Sequence, residues 1–574
     1  MTNKAVARHL KLAADLIELT GGNAFRARAY ASAARRIEQL PEAVEALASA
    51  DELTDVAGVG KGLAAEVAEL IETGRLPAVT EILQTLPPGL LDVLRVKGLG
   101  PKKVRTLWQE LEVTSLDALE AAAVAGRIAE LPGFGKKTQQ NVLDQIERLQ
   151  AYAGKAHYAQ VADEVEALLR ALRASEDVGR ADVAGAFRRQ LEVVEAVEVV
   201  VEASAEAATR ALAALGVAVQ PDGDGVLRGP LPFGLPLVVH PATRAHYGRV
   251  LWAATGSEAH VEAFVERHGM PGETGDEEVV YTSAGLPFVP PALREGTGEI
   301  EAAAEGRLPH LITVEDFRGT LHNHTTASDG TASLREMAEA ARALGLDYIA
   351  ICDHSQSLKI ANGLSVERLM AQVEEIERLN AEYAAAGVGF RVFSGTECDV
   401  LRDGALDYPD DVLERLDFVV ASIHSLFKLG VEEQTARLVR AAENPHVDVL
   451  GHPTGRLLLR RDGYAIDHEA VIAACARTGT ALELNANPWR LDVDWRWLRR
   501  ATEAGVLVAI NPDAHSTGEL ENVRWGVSVA QKGWLTPEQC LNTRSTEAFA
   551  AWLDGRRTTD GGPRTTPPIA HRPS

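Results

Sequence analysis

The sequence predicts a multidomain protein with an all-α N-terminal region, an α+β middle and a C-terminal parallel (β/α)7 barrel. Three observations carry this. Short amphipathic helices separated by glycine turns run to about residue 150, apolar strand-like runs take over from about 156, and seven short apolar segments alternate with helices after 318. At 574 residues the chain also exceeds what one hydrophobic core supports.

In the first region a turn recurs three times, as AGVGKGLAAEV (57–67), KGLGPKKVRTL (97–107) and PGFGKKTQQNV (132–142). A Gly-x-Gly turn opening a helix leaves backbone N–H groups at the positive end of the helix dipole. Such a turn suits a phosphate oxygen and ignores base identity. Gly58, Gly60, Gly98, Gly100, Gly133 and Gly135 are therefore candidate DNA contacts, with Lys61, Lys102, Lys103, Lys136 and Lys137 just beyond them. Net charge argues the other way at first sight: 58 Lys+Arg against 82 Asp+Glu give −24. Residues 1–150, however, hold 18 basic and 20 acidic side chains, so −22 falls on the other 424 residues. The N-terminal region is nearly neutral and free to present basic loops.

The middle region contains the apolar runs LEVVEAVEVVVEA (191–203) and LPLVVHP (235–241), and the Pro- and charge-rich stretch 290–318 reads as a connector. The barrel strands follow as GTLHNHT, YIAICDH, FRVFSGTECDV, DFVVASIHS, VDVLGHP, ALELNAN and VLVAINPDAH. The low-complexity tail from about 556 reads as disordered. Four cysteines, Cys352, Cys398, Cys475 and Cys540, show no CxxC pairing, which fits a reducing cytoplasm. The first residues alternate charge and apolar character at helical spacing, unlike a signal peptide, and no apolar run spans a bilayer, so no membrane is expected.

Each barrel strand ends in metal-ligand chemistry: His322 and His324, then Asp329, Asp353 and His354, Glu397, His424, His452, Asp513 and His515. Strand ends of a parallel barrel open onto one face, so these groups converge, and histidines at i and i+2 share a side. A lone histidine of this kind is most simply a core or capping residue; a full ring of donors is not. Carboxylates and imidazoles without thiolates suit Zn, Mn or Fe in a multinuclear hydrolytic site. Glu483 and Asn485 read as groups that orient the ligands, and Arg456 after GHPTG as a phosphate clamp. His322, His324, Glu397, Asp513 and Arg456 are the candidate catalytic residues.

Together LHNHTTASDGTAS, YIAICDHS, GTECDV, SIHS, GHPTGR, LELNA and NPDAHS resemble the PHP (polymerase and histidinol phosphatase) domain over roughly 318–555. The resemblance implies a trinuclear centre of three divalent ions (Zn and/or Mn, or Fe). Its ligands would be His322, His324, Asp329, His354, Glu397, His424, His452, Asp513 and His515. The glycine turns are similar to helix-hairpin-helix motifs, and with GGNAFRARAYASAARRIEQL (21–40) they resemble the N-terminal region of family X DNA polymerases. GLPFVPPALREGTGEIEAA (285–303) is similar to the junction in bacterial members that carry both parts. The implied domains are 1–80 helical, 81–155 helix-hairpin-helix, 156–295 nucleotidyltransferase-like palm and fingers, 296–318 linker and 319–555 PHP.

The palm departs from that family's pattern. A nucleotidyltransferase holds two divalent ions about 3.5–4 Å apart on carboxylates. In GAFRRQLEVVEAVEVVV, Gly185 and Arg188 are retained, but the family's serine position is Ala186, the Asp-x-Asp positions are Ala196 and Glu198, and the third aspartate falls on Val238. This site is not expected to hold Mg or Mn, though a dNTP has weak candidate contacts in Gly185, Arg188, Thr255, Gly256 and Ser257. The family's lyase lysine position holds Glu66. The expected protein is a monomeric DNA repair enzyme of the family X type, a metal-dependent 3′–5′ exonuclease acting on gapped or 3′-recessed DNA without sequence preference. A gap-filling polymerase, a phosphatase of the histidinol phosphatase type and a non-catalytic DNA scaffold are the rival readings.

Overall fold

The structure, a computed structural model, describes residues 3–557 apart from Gln39, Pro41, Arg75 and Asp224. It divides into two compact units between Ala153 and Gly154. The sequence tail from 558 on lies outside the described residues. Among the described residues no helix is long and apolar enough to cross a membrane.

The first unit is all helix, as expected, around a core that includes Leu10, Leu16, Tyr30, Val67, Leu70, Val104 and Leu107. The three glycine turns share one construction. In each, the residue between the glycines donates its N–H three positions back: Val59 to Val56, Leu99 to Val96 and Phe134 to Leu131. Val59 and Leu99 are buried plugs that explain the apolar middle position of the repeat. The preceding Gly58, Gly98 and Gly133 have φ of 89°, 95° and 80°, which is why glycine stands there.

The second unit begins with a five-stranded sheet. Its strands are β1 (Ala181–Ala184), β2 (Val197–Glu202), β3 (Gln220–Pro221), β4 (Leu227–Pro230) and β5 (Pro236–Ala242), in the order β1-β2-β5-β4-β3. Only β2 and β5 run parallel. Both apolar runs read from the sequence are strands. The stretch 290–318 is not a loose connector, because its charges are paired inside the fold. Buried Arg294 donates to Glu277 at 2.6 Å, and Glu299 accepts from buried His260 at 2.6 Å. Charge-rich composition imitates a solvated linker when the partners are distant in sequence.

All seven expected barrel strands form. They are β6 (Gly319–Thr320), β7 (Tyr348–Ile351), β8 (Arg391–Asp399), β9 (Phe418–Ser422), β10 (Val449–Leu450), β11 (Ala481–Asn485) and β12 (Val508–Asn511), neighbours in chain order and all parallel. Ala350, Phe393, Val420, Val449, Ala481 and Ala509 share a buried cluster with Phe549 of the last helix, Thr546–Arg557. Ile349, Ile351 and Val392 pack with Met337, Ala341 and Leu379 of flanking helices instead. The seam between β6 and β12 is closed by His324 N–H donating to Ala514 at 2.8 Å and by buried Asn542. The Asn542 side chain accepts from Ile510 N–H at 2.8 Å and donates to Gly319 at 3.2 Å. Against the disordered tail expected from about 556, Arg556 is buried and donates to Asp448 at 3.1 Å, and the rest of that expectation lies outside the described residues.

Candidate metal centre

The nine expected ligands meet at the C-terminal mouth of the barrel. Donor atoms close enough to share an ion form three groups among the described residues, all in the barrel: His324, Asp329, His354 and His515; His322, His324 and Glu397; and His354, Glu397 and His424. His452 Nε2 lies 2.9 Å from Glu397 Oε1, and Asp513 Oδ1 lies 3.2 Å from His324 Nε2. Glu397 is the hub, touched by His322, His354, His424 and His452. It sits in the long strand β8, whose neighbours on either side fix its depth at the mouth.

Polar groups buried without partners cost free energy, and buried like charges more. His322 Nε2, His324 Nδ1, His452 Nδ1 and Glu397 Oε2 are buried with no hydrogen-bond partner, and Glu397, Asp513 and Glu483 crowd their carboxylates together. Burial alone would depress the His322 imidazole, but Glu483, Glu397 and Asp513 outweigh it and hold it well above its usual range. His354 is likewise carried up to about 10 against its burial, by Glu397 and Asp329. In the other direction, burial and the imidazoles of His515 and His354 push His324 down to about 4. The donor set of imidazoles and carboxylates, several of its nitrogens and oxygens left without a partner, fits divalent cations.

The supporting shell is built around Glu483. His322 Nδ1–H donates to Glu483 Oε1 at 2.7 Å, Asn511 donates to the same oxygen at 2.9 Å, and His452 N–H donates to Oε2 at 2.7 Å. Asn485 donates to Asp513 at 3.0 Å. These contacts retain His452 and Asp513 in left-handed backbone, at φ of 24° and 51°, which costs a non-glycine residue about 1–3 kcal/mol. Asp353 accepts from Thr325 N–H at 2.8 Å and from the hydroxyls of Thr325 and Ser328, so it orders the loop that brings Asp329 in. Two residues were missed by the sequence reading. Asp399 accepts from His424 Nδ1–H; its position two after Glu397, on the same side of β8, was the available signal. Arg490 Nε lies 3.4 Å from Asp513 Oδ2, and nothing in its local sequence marked it.

Arg456 requires correction. Its guanidinium donates to Arg490 O at 2.9 Å, to Asp494 at 2.7 Å and to Leu491 O, so each of its three nitrogens is tied to a loop and it is not a free phosphate clamp.

On the middle sheet, Glu198 and Val238 are direct neighbours on parallel strands, with Ala196 just before β2. Val238 is buried, and Glu198 accepts from His240 Nε2–H at 3.2 Å. Gly185, at φ 59°, lies against that carboxylate and leaves no room for a side chain. Arg188 forms a fork on buried Glu277 at 2.7 Å and 2.7 Å and donates to Thr255 at 2.7 Å. Arg189 takes the Thr255 carbonyl at 2.7 Å, and Ser257 caps a helix whose turn includes Gly256. The nucleotide candidates are thus brought together, but their polar atoms are engaged with one another. In the helical unit, Glu66 accepts from Tyr30 and lies 3.5 Å from Arg26.

Gly60, Gly100 and Gly135 stand at the N-termini of helices Lys61–Thr73, Pro101–Leu111 and Lys136–Tyr152, none with a side-chain cap. Lys61, Lys136 and Lys137 are exposed beside them. Lys102 is exposed and lies 3.5 Å from Glu18, while Lys103 Nζ donates to Gly98 O at 3.2 Å. The four cysteines are free and buried.

A seven-stranded barrel with a ring of imidazoles and carboxylates at its mouth defines a phosphoesterase-type PHP fold. The family model described as the PHP domain matches residues 320–525, a helix-hairpin-helix domain matches 1–76, and a SAM-like helix-hairpin-helix tandem matches 90–148. The chain is 36% identical, over 96% of its length and 99% of the relative's, to a Bacillus subtilis protein named DNA polymerase/3′-5′ exonuclease PolX. Probable phosphatases of Thermoanaerobacter and Syntrophotalea carbinolica are 28% and 31% identical. Each covers 39% of this chain and 89% or 90% of its own length. The chain belongs to the PolX family, bacterial family X DNA polymerases with a C-terminal PHP domain.

Proposed function

We propose that this chain grips DNA without regard to sequence and hydrolyses phosphodiesters from a 3′ end at the barrel mouth. The observation that carries this is the convergence of nine ligand-type side chains from six strand ends, with buried donors and acceptors left unpaired. The B. subtilis relative's name, which includes 3′-5′ exonuclease, supports it.

Three divalent cations, Zn and/or Mn or Fe, would be held by His322, His324, Asp329, His354, Glu397, His424, His452, Asp513 and His515; when bound they supply Lewis acidity toward water and phosphate. Glu483 and Asp399 fix the rings of His322 and His424 so that the opposite nitrogen faces the centre. The uncapped helix starts at Gly60, Gly100 and Gly135, each behind its first glycine at 58, 98 or 133, hold the DNA backbone. Lys61, Lys102, Lys103, Lys136 and Lys137 add charge beside it. The domain division given above, a cytoplasmic location and a monomeric state belong to the same proposal.

The middle sheet keeps one carboxylate, Glu198, where a transferase needs three, so the proposal includes loss of polymerisation. Ala196 and Val238 offer no oxygen, and Arg188 is held by Glu277 and Thr255. Glu66 in place of a lysine removes the Schiff-base nucleophile. The deciding experiment incubates the protein with Mn2+ or Zn2+ and a gapped duplex, with and without dNTPs. Shortening of the 3′ end and no extension are expected; extension would restore the polymerase reading.

A second reading, hydrolysis of small phosphomonoesters, is favoured by the probable phosphatases that match 39% of this chain. Faster turnover of histidinol phosphate than of a 3′-recessed duplex would select it.

A further inference from the structure

We propose that Arg490 contacts the substrate phosphate at the barrel mouth and that the middle region, through His157 and Glu192, positions it. This rests on the phosphodiesterase reading.

Arg490 lies on the connection that follows β11. Its Nε faces Asp513 Oδ2 at 3.4 Å, while Nη1 and Nη2 have no hydrogen-bond partner among the described residues. Its side chain is 20% exposed, so the guanidinium reaches solvent at the mouth while touching one of the cation-binding carboxylates. A planar fork with unspent N–H groups matches the spacing of two phosphate oxygens, a match an ammonium does not offer. Arg456, another arginine of this wall, has each of its three nitrogens in a hydrogen bond to the chain.

The loop that carries Arg490 is held from two sides. From within, Asn487 N–H donates to the Asn485 side chain at 3.0 Å, Trp489 N–H to the Asn487 side chain at 3.0 Å, and Arg490 N–H to Asn487 O at 2.8 Å. Asn485 also bonds Asp513, so loop and ligand share an anchor. From outside, His157 Nδ1–H donates to Pro488 O at 3.3 Å, and its ring meets the Trp489 indole edge-on at 4.5 Å. Arg460 covers Trp489 at 3.7 Å. Glu192, nearly buried, sits 3.6 Å from the Arg456 guanidinium that holds the Arg490 carbonyl. His157 and Glu192 come from the ends of a short antiparallel pairing, Ala156–His157 with Val193–Val194, directly before β2. The region that kept one carboxylate of three therefore forms part of the wall of the hydrolytic site. His157 and Glu192 are positioning residues in this scheme.

The test uses the full chain with Arg490→Ala, Arg490→Lys, His157→Ala and His157→Asn. Three quantities are read: metal content by elemental analysis, affinity for inorganic phosphate by calorimetry, and kcat and KM on a 3′-recessed duplex. Loss of charge-assisted hydrogen bonds predicts a 10- to 100-fold fall in kcat/KM for R490A, to order of magnitude, with a parallel loss of phosphate affinity and unchanged metal content. R490K recovers part of it. His157→Ala lowers kcat several-fold with KM for DNA little changed, and His157→Asn, which keeps an N–H donor, restores it. Wild-type phosphate affinity in R490A overturns the proposal, as does metal loss in step with activity, which would make Arg490 a partner of Asp513 alone. If the wild type cleaves no phosphodiester with any metal, the nuclease reading fails, and the phosphate-binding measurement still decides the role of Arg490.

Discussion

The barrel mouth and the face of the middle sheet are both places where carboxylates on strand ends could hold cations, and they have opposite contents. At the barrel, Glu397 is shared by four imidazoles and braced by a second rank, Glu483, Asn485, Asn511 and Asp399. On the sheet, Glu198 stands beside Val238 and takes a neighbouring histidine as its partner, while Asp182 on the adjoining strand is engaged by Tyr247 at 2.7 Å and Arg173 at 3.1 Å. A cation centre is cooperative, because each buried carboxylate is tolerable only with the ions its neighbours help to hold. A carboxylate without such neighbours, as Glu198 is beside Val238, is satisfied locally.

The most severe attack on this contrast is the double substitution H322A/H324A, which strips two of the three donor groups. Cleavage should fall by about a thousandfold or more, on the scale of losing a preorganised electrostatic stabiliser, while gel-shift affinity for gapped DNA is retained. Surviving cleavage would place the chemistry elsewhere. Glu483→Gln replaces none of the nine candidate ligands and changes the shared partner of His322, His452, Asn485 and Asn511. A reduction of about 10- to 100-fold in metal affinity or activity is expected, measured by metal titration and turnover.

A pH experiment sharpens the contact between the two regions. Burial lowers the His157 imidazole to about 4, against the raising effect of Pro488 O. The unfolded chain then binds more protons than the folded one between about 4 and the ordinary 6.5, so stability is lost as pH falls through that window and is flat above it. The melting temperature should drop by a few degrees between pH 7 and pH 5, and by less in His157→Asn. An equal drop in both would remove His157 from the account. The smallest effect is expected from K102A/K103A, because Lys61, Lys136 and Lys137 remain. The slope of log affinity against log salt should decrease by about 1 per lost phosphate contact, with no change in sequence preference.

The ligand ring was legible because each donor sits at the end of an apolar segment, and β-strand alternation decides which side chains share a face. The helix starts were legible for a similar reason, since Gly58, Gly98 and Gly133 need positive φ and the residue after each must be a plug. Arg456 was misread for want of its partners: Asp494 and the carbonyls of Arg490 and Leu491 lie more than thirty residues away. The stretch 290–318 was misread in the same way, its charges being matched by Glu277 and His260.

The order of residues by itself determined the three architectures and the donors at the strand ends, because these follow from local periodicity and from chemical identity. Only the tertiary structure decided that Arg456 is tied to Asp494 and two carbonyls while Arg490 faces Asp513, and that His157 and Glu192 lie against the loop of a site far along the chain. Hydrogen bonds and ion pairs are short-ranged in space and indifferent to sequence separation, so the partner of a charged side chain is fixed only when the chain has folded.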